Sequence, residues 1–101
     1  MFARVVRYEV PVDLYEEALE RFSEAAREIE QLDGFEHGYL LSDADKGLVV
    51  TATLWRDRAA LDASDVRAGA LRQRAVRAVG GSVQQVDRLE VAAELGAASK
   101  A

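Results

Sequence analysis

Residues Leu48–Trp55 read LVVTATLW, eight in a row without a charge. In a strand, successive side chains point to opposite faces. Leu48, Val50, Ala52 and Leu54 would therefore line one face, and Val49, Thr51, Thr53 and Trp55 the other. A strand with one wet face alternates apolar and polar residues. This one does not, so both of its faces need cover. Helices of the same chain can cover one face. The natural cover for the other is the same face of a second copy, related by a two-fold axis. The Val5-Val6 pair within Phe2–Val10 points the same way. A homodimer through the sheet face is expected. The competing arrangement is a monomer whose central strand exposes a moderately apolar face.

The flanking segments complete the pattern. Phe2–Val10 is rich in β-branched and aromatic residues and reads as a first strand, ended by Pro11. Asp13 stands where an N-cap should, with Glu16 three residues on. Leu14, Ala18, Phe22, Ala25, Ile29 and Leu32 then recur at three- or four-residue spacing, the apolar stripe of an amphipathic helix. Gly34 is placed to stop it. Phe35–Ser42 is a second strand, with Phe35, His37, Tyr39 and Leu41 on one face. A turn at residues 43–47 joins it to Leu48–Trp55 as a hairpin. Asp57 caps a short helical turn through Leu61. Ser64 or Asp65 restarts a helix to about Val79, with Leu61, Ala68, Leu71, Ala75 and Val79 as its apolar line. Gly80-Gly81 ends it, and residues 82–95 contain a fourth strand, best defined over residues 86–93. The order β-α-β-β-α-β predicts an α+β, ferredoxin-like fold: a four-stranded antiparallel sheet with two helices on one face. Residues 1–95 form the expected single domain and 96–101 a frayed tail.

Composition excludes several functions. The net charge is −5, against the basic surplus of a dedicated nucleic-acid binder. Cysteine is absent and histidine occurs once. Neither a thiolate nucleophile nor a zinc–thiolate cluster can form, and no metal site is expected. No stretch approaches the roughly 18 apolar residues of a membrane span. Residues 1–10 carry no apolar run of signal-peptide type, so a cytoplasmic location is expected. Gly80-Gly81 lacks the pattern of a phosphate loop.

The stretches GFEHGYLL before the turn and VVTATLWRDRAALDAS after it resemble the antibiotic-biosynthesis-monooxygenase-like (ABM) family of dimeric α+β barrels. The resemblance covers about residues 2–95. It implies two sheets packed face to face and a pocket in each subunit between helices and sheet. It also implies a small aromatic ligand, a phenol or quinol, oxygenated without a cofactor. A non-catalytic dimer of the same fold, binding a ligand or purely structural, is the alternative. In the haem-degrading branch, a tryptophan acts with an asparagine on strand one and a histidine on helix two. Here those positions fall near Arg7 and Leu71, and asparagine is absent throughout. Haem degradation is therefore not expected, and no cofactor is.

The candidate site residues follow. Trp55 matches the family's pocket tryptophan, with core packing as its competing role. His37 is the one side chain whose type suits proton transfer near neutrality; a structural place at the dimer seam competes. Tyr8 and Tyr39 could bind a ligand hydroxyl. Arg7 could pair a ligand anion, or else a carboxylate on a neighbouring strand. Phe22 and Leu71, on the two helices, are counted as substrate-binding. Arg67, Arg72, Arg74 and Arg77 make helix two basic, complementary to the acidic helix one; an anion site on helix two is the alternative.

Overall fold

A computed structural model describes residues 1–96. Strand β1 (Phe2–Glu9) leads through a short 3-10 turn to helix α1 (Tyr15–Ile29). The hairpin β2 (Phe35–Asp43) and β3 (Leu48–Trp55) follows, then helix α2 (Arg58–Ala78) and β4 (Ser82–Glu90). The sheet order is β2-β3-β1-β4, antiparallel throughout, so the two crossovers put both helices on one face. This is the ferredoxin-like fold read from the sequence.

Register sorts the side chains into two faces, because directly paired residues point the same way. Arg4, Val6 and Tyr8 of β1 pair with Thr53, Thr51 and Val49 of β3 and face the helices. Val5 and Arg7 pair with Ala52 and Val50 on the helix-free face. The core lies under the helices. Val6, Tyr8, Val10 and Val49 meet Ala18, Phe22 and Ala25 of α1 and Leu71, Ala75 and Val76 of α2. A second cluster gathers Trp55, Ala60 and Leu61, with Phe2, Ile29, Leu32 and Phe35 against it.

Three local expectations change. Asp13 does not cap α1. It sits within the 3-10 turn Val12–Leu14, and α1 starts at Tyr15 without a side-chain cap. α2 is continuous and does not restart at Ser64 or Asp65. Asp57 caps it by accepting from the Ala60 N–H at 2.8 Å, and the Ser64 hydroxyl donates back to the Leu61 carbonyl at 2.7 Å. The Ser64 hydroxyl donates back within its own helix and accepts from Arg4 rather than from a following backbone N–H, so it caps nothing. The fourth strand, Ser82–Glu90, fills the front of the expected 82–95 segment rather than centring on residues 86–93, because Gly80, at φ +68°, turns the chain straight into it. The expected frayed tail falls outside the described residues beyond Gly96.

A fourth change matters for the site. Between Phe35 and His37 the β2–β3 pairing shifts, leaving Glu36 as the extra residue of a bulge. Phe35 pairs with Trp55 on the helix face, whereas His37 and Tyr39 pair with Leu54 and Ala52 on the other face. Period-two counting puts all three together; one inserted residue separates them. Gly34, at φ +83°, makes the preceding turn. A Cβ there would collide with Ala60, so only glycine lets β2 begin against α2.

Candidate functional site

The inner sheet face, α1, α2 and residues 35–40 of β2 line a cavity of about 370 Å³, open to solvent on one side. The β1 wall is Val6 and Tyr8, and the β3 wall is Thr51 and Thr53. Helix α1 contributes Phe22, Ala25, Ala26 and Ile29; α2 contributes Ala68 and Arg72. The walls are mainly aromatic and aliphatic, with a few polar atoms spaced among them, the usual make-up of a small-molecule site.

Tyr8 is the polar centre. Its ring packs on Phe22 with centroids 4.5 Å apart, and its hydroxyl lies 3.3 Å from the Thr51 hydroxyl. Burial pushes the phenol up to about 12, against the opposing pull of Thr51, Arg72 and Arg4. Near neutrality Tyr8 is therefore a neutral hydroxyl that can donate to a ligand oxygen and does not serve as a base.

Arg4 reaches the cavity but is already engaged. It donates to the Leu61 carbonyl at 3.0 Å and to the Ser64 hydroxyl at 2.9 Å, and it pairs with Asp65. Desolvation lowers its pKa, and Asp65 works against that. Asp65 is shared with Arg88 of β4 at 2.7 Å. Arg72 differs: its Nε is buried and has no hydrogen-bond partner among the described residues.

The expected site residues separate into groups. Tyr8 and Phe22 come together in the cavity wall. His37 and Tyr39 border it from β2, and both are exposed, with His37 Nε2 lying 2.9 Å from the Tyr39 hydroxyl. By register their rings belong to the helix-free face. Trp55 is 0% exposed and does not border the cavity. It stands one layer behind: its Nε1–H donates to the Thr53 hydroxyl at 3.0 Å, and Thr53 faces the cavity. Its packing against Phe35, edge-on at 5.4 Å, and beneath Arg4 at 5.6 Å makes it core. Leu71 is also core, and Arg7 lies exposed on the helix-free face. Neither borders the cavity.

The sequence reading missed Arg4, Thr51 and Thr53, and named Arg72 only as one of four arginines on helix two. The two threonines carried a usable signal, as hydroxyls two apart on one face of an otherwise apolar strand. Nothing in the sequence set Arg72 apart from the other three arginines of the alternative anion site on that helix. Of those, Arg67 meets the expected acidic partner, bonding Glu28 of α1 at 3.2 Å.

The comparisons bear on this geometry. The family model for antibiotic biosynthesis monooxygenase matches residues 1–72. The chain belongs to that family. Among solved structures, a variant of SnoaB, a cofactor-independent oxygenase from Streptomyces nogalater, superposes with a TM-score of 0.77 at 23% identity, covering 94% of this chain and 96% of that one. Rv0793 from Mycobacterium tuberculosis superposes at 0.69 with 21% identity, covering 95% and 100%. A conserved protein from Methanosarcina mazei Go1 gives 0.71 at 10% identity, covering 88% and 90%. No curated protein matches the sequence. At these identities the likeness is one of fold, and the ABM-family cavity is what the chain's own residues make of it. No helix among the described residues is long and apolar enough to cross a membrane.

Proposed function

We propose that this ABM-family protein binds a small hydroxylated aromatic molecule in the sheet–helix cavity and oxygenates it without a cofactor. The observation that carries the reading is the cavity itself. Its volume, about 370 Å³, falls within the roughly 300–1,000 Å³ of small-molecule sites. Its polar atoms, at Tyr8, Thr51 and Thr53, are placed for ligand oxygens, while Phe22 and Ile29 offer flat apolar contact. A substrate of this kind can supply the electrons. Once an activated CH2 group of the substrate loses a proton to a base in solution, its carbanion passes one electron to dioxygen. The radical pair joins at carbon, and protonation gives a hydroperoxide. Loss of water leaves a ketone, so a CH2 group and O2 become C=O and H2O. The chain's part is to hold the ring, donate from neutral Tyr8 to a ring oxygen, and keep water out.

The test is oxygen uptake with 1,8-dihydroxyanthrone, corrected for uncatalysed oxidation. Uptake above background is expected, with one ketone formed per O2. Ala26→Trp, at an exposed position on the cavity wall, should lower it at least roughly tenfold, equivalent to 1.4 kcal/mol of barrier. A rate equal to buffer would sink the oxygenase reading. Binding of the same compound, followed by calorimetry, would then leave the second reading, a ligand-binding protein without catalysis. The enclosure of Trp55 away from the cavity favours that second reading.

The working unit in this proposal is a homodimer joined through the helix-free face. Val5, Val50, Ala52 and Leu54 form an apolar centre there, extended by Leu89 and by Tyr39, which is 56% exposed. Native mass spectrometry should show twice the 11.1 kDa chain mass. A single-chain mass at micromolar concentration would remove the dimer.

A further inference from the structure

We infer that the cavity is built for an aromatic ligand bearing a carboxylate, seated against the guanidinium of Arg72. This deepens the cavity reading above and rests on it. Arg72 borders the cavity, and among the described residues its guanidinium bonds nothing: Nε is sealed within the protein, while the two outer nitrogens keep accessible surface and no protein acceptor. A guanidinium on a cavity wall whose outer N–H groups meet no protein acceptor has its natural complement in an acceptor brought by a ligand. No protein carboxylate takes that place: among the described residues, none lies within ion-pairing distance of Arg72. Glu30 and Glu36 border the same cavity but are exposed at its rim.

The other cation cannot substitute. Arg4 is held by the Leu61 carbonyl, Ser64 and Asp65. Its charge still reaches inward, since Arg72 and Arg4 both favour the ionised form of the Tyr8 hydroxyl. A negative group beside Arg72 would thus meet a positive potential and have Tyr8 available as a second donor. The chemistry selects the anion. A planar guanidinium fits a planar carboxylate with directed N–H bonds. A phosphate, with three oxygens and nearly two charges, would need more donors than this mostly apolar cavity provides. Phe22 and Ile29, on the facing helix, are placed for the ring.

The test is calorimetric titration with 1-naphthoate and with 1-naphthamide, its neutral isostere, against the full chain and Arg72→Met. Naphthoate is expected to bind the natural protein at least roughly tenfold tighter, a difference of about 1.4 kcal/mol. Arg72→Met should erase that preference and leave the amide's affinity unchanged, which also shows the cavity intact. Equal affinities in the natural protein would overturn the inference whatever the variant does. A preference that survives Arg72→Met, or an equal loss for both compounds, would overturn it as well. In each of these cases the amide still binds the natural protein and the cavity reading stands. Binding of neither compound would overturn both.

Discussion

Replacing Trp55 by alanine is expected to cost roughly 3–5 kcal/mol, the range for truncating a buried aromatic. Trp55 is fully enclosed and anchors the cluster with Ala60 and Leu61, so its loss leaves a void bounded by Phe35 and Arg4. Total stability of a domain this size is about 5–15 kcal/mol, and each kcal/mol moves the melting temperature by roughly 4–8 °C. A fall of at least about 12 °C in Tm should follow. Trp55→Phe keeps most of the volume and gives up only the bond to Thr53. It should hold ligand affinity within about threefold, near 0.7 kcal/mol. The pair of variants assigns Trp55 its role. Near-normal melting of Trp55→Ala, together with lost binding in Trp55→Phe, would place the indole in the site and refute the assignment to core.

Alkaline pH should destabilise the protein through Tyr8. Burial raises this phenol from 10.0 to about 12 in the folded state, because the phenolate would be desolvated. A group whose folded pKa is raised contributes stability that is complete below its unfolded value. That contribution is lost as pH rises through the folded one. The window is therefore about pH 10 to 12. At about 1.4 kcal/mol per pH unit the loss is roughly 2–3 kcal/mol. Denaturant midpoints for the natural protein and Tyr8→Phe, measured at pH 8, 10 and 12, isolate this from other titrating groups. Parallel curves for the two proteins would show that the Tyr8 hydroxyl is not held neutral by its surroundings. At neutral pH the substitution removes a hydroxyl that bonds Thr51, and a smaller change is expected there.

The fold was legible because its signals are local. The stripe on α1 is visible in the spacing of Ala18, Phe22 and Ala25, and all three are buried where the spacing puts them. The charge-free β3 announces a central strand, and it pairs on both sides. The errors sit at boundaries, where side chains have competing partners. Asp13 is a good cap by type, yet the 3-10 turn after Pro11 uses it differently. Ser64 is a good cap by type as well, yet it bonds Leu61 of its own helix and accepts from Arg4, 60 residues away in sequence.

The site was legible only in part. Tyr8 and Phe22 were named from sequence and meet in the cavity wall, because each lies on the inward side of a strongly patterned element. His37 was grouped with Phe35 by a count of two, and a bulge at Glu36 put them on opposite faces. Arg7 was named and Arg4 was not, though the same strand carries both and register alone decides which one faces the helices.

The sequence by itself determined the element order, the inward face of α1 and the uncharged central strand, since periodicity depends only on each residue's own neighbours. Tertiary structure alone decided that Trp55 stands behind the cavity, that Arg4 is engaged, and that Arg72 is the arginine with a buried, unpartnered nitrogen. Those outcomes depend on strand register and on which helix face meets which strand. Both are set by contacts between residues distant in the chain, and no local pattern encodes them.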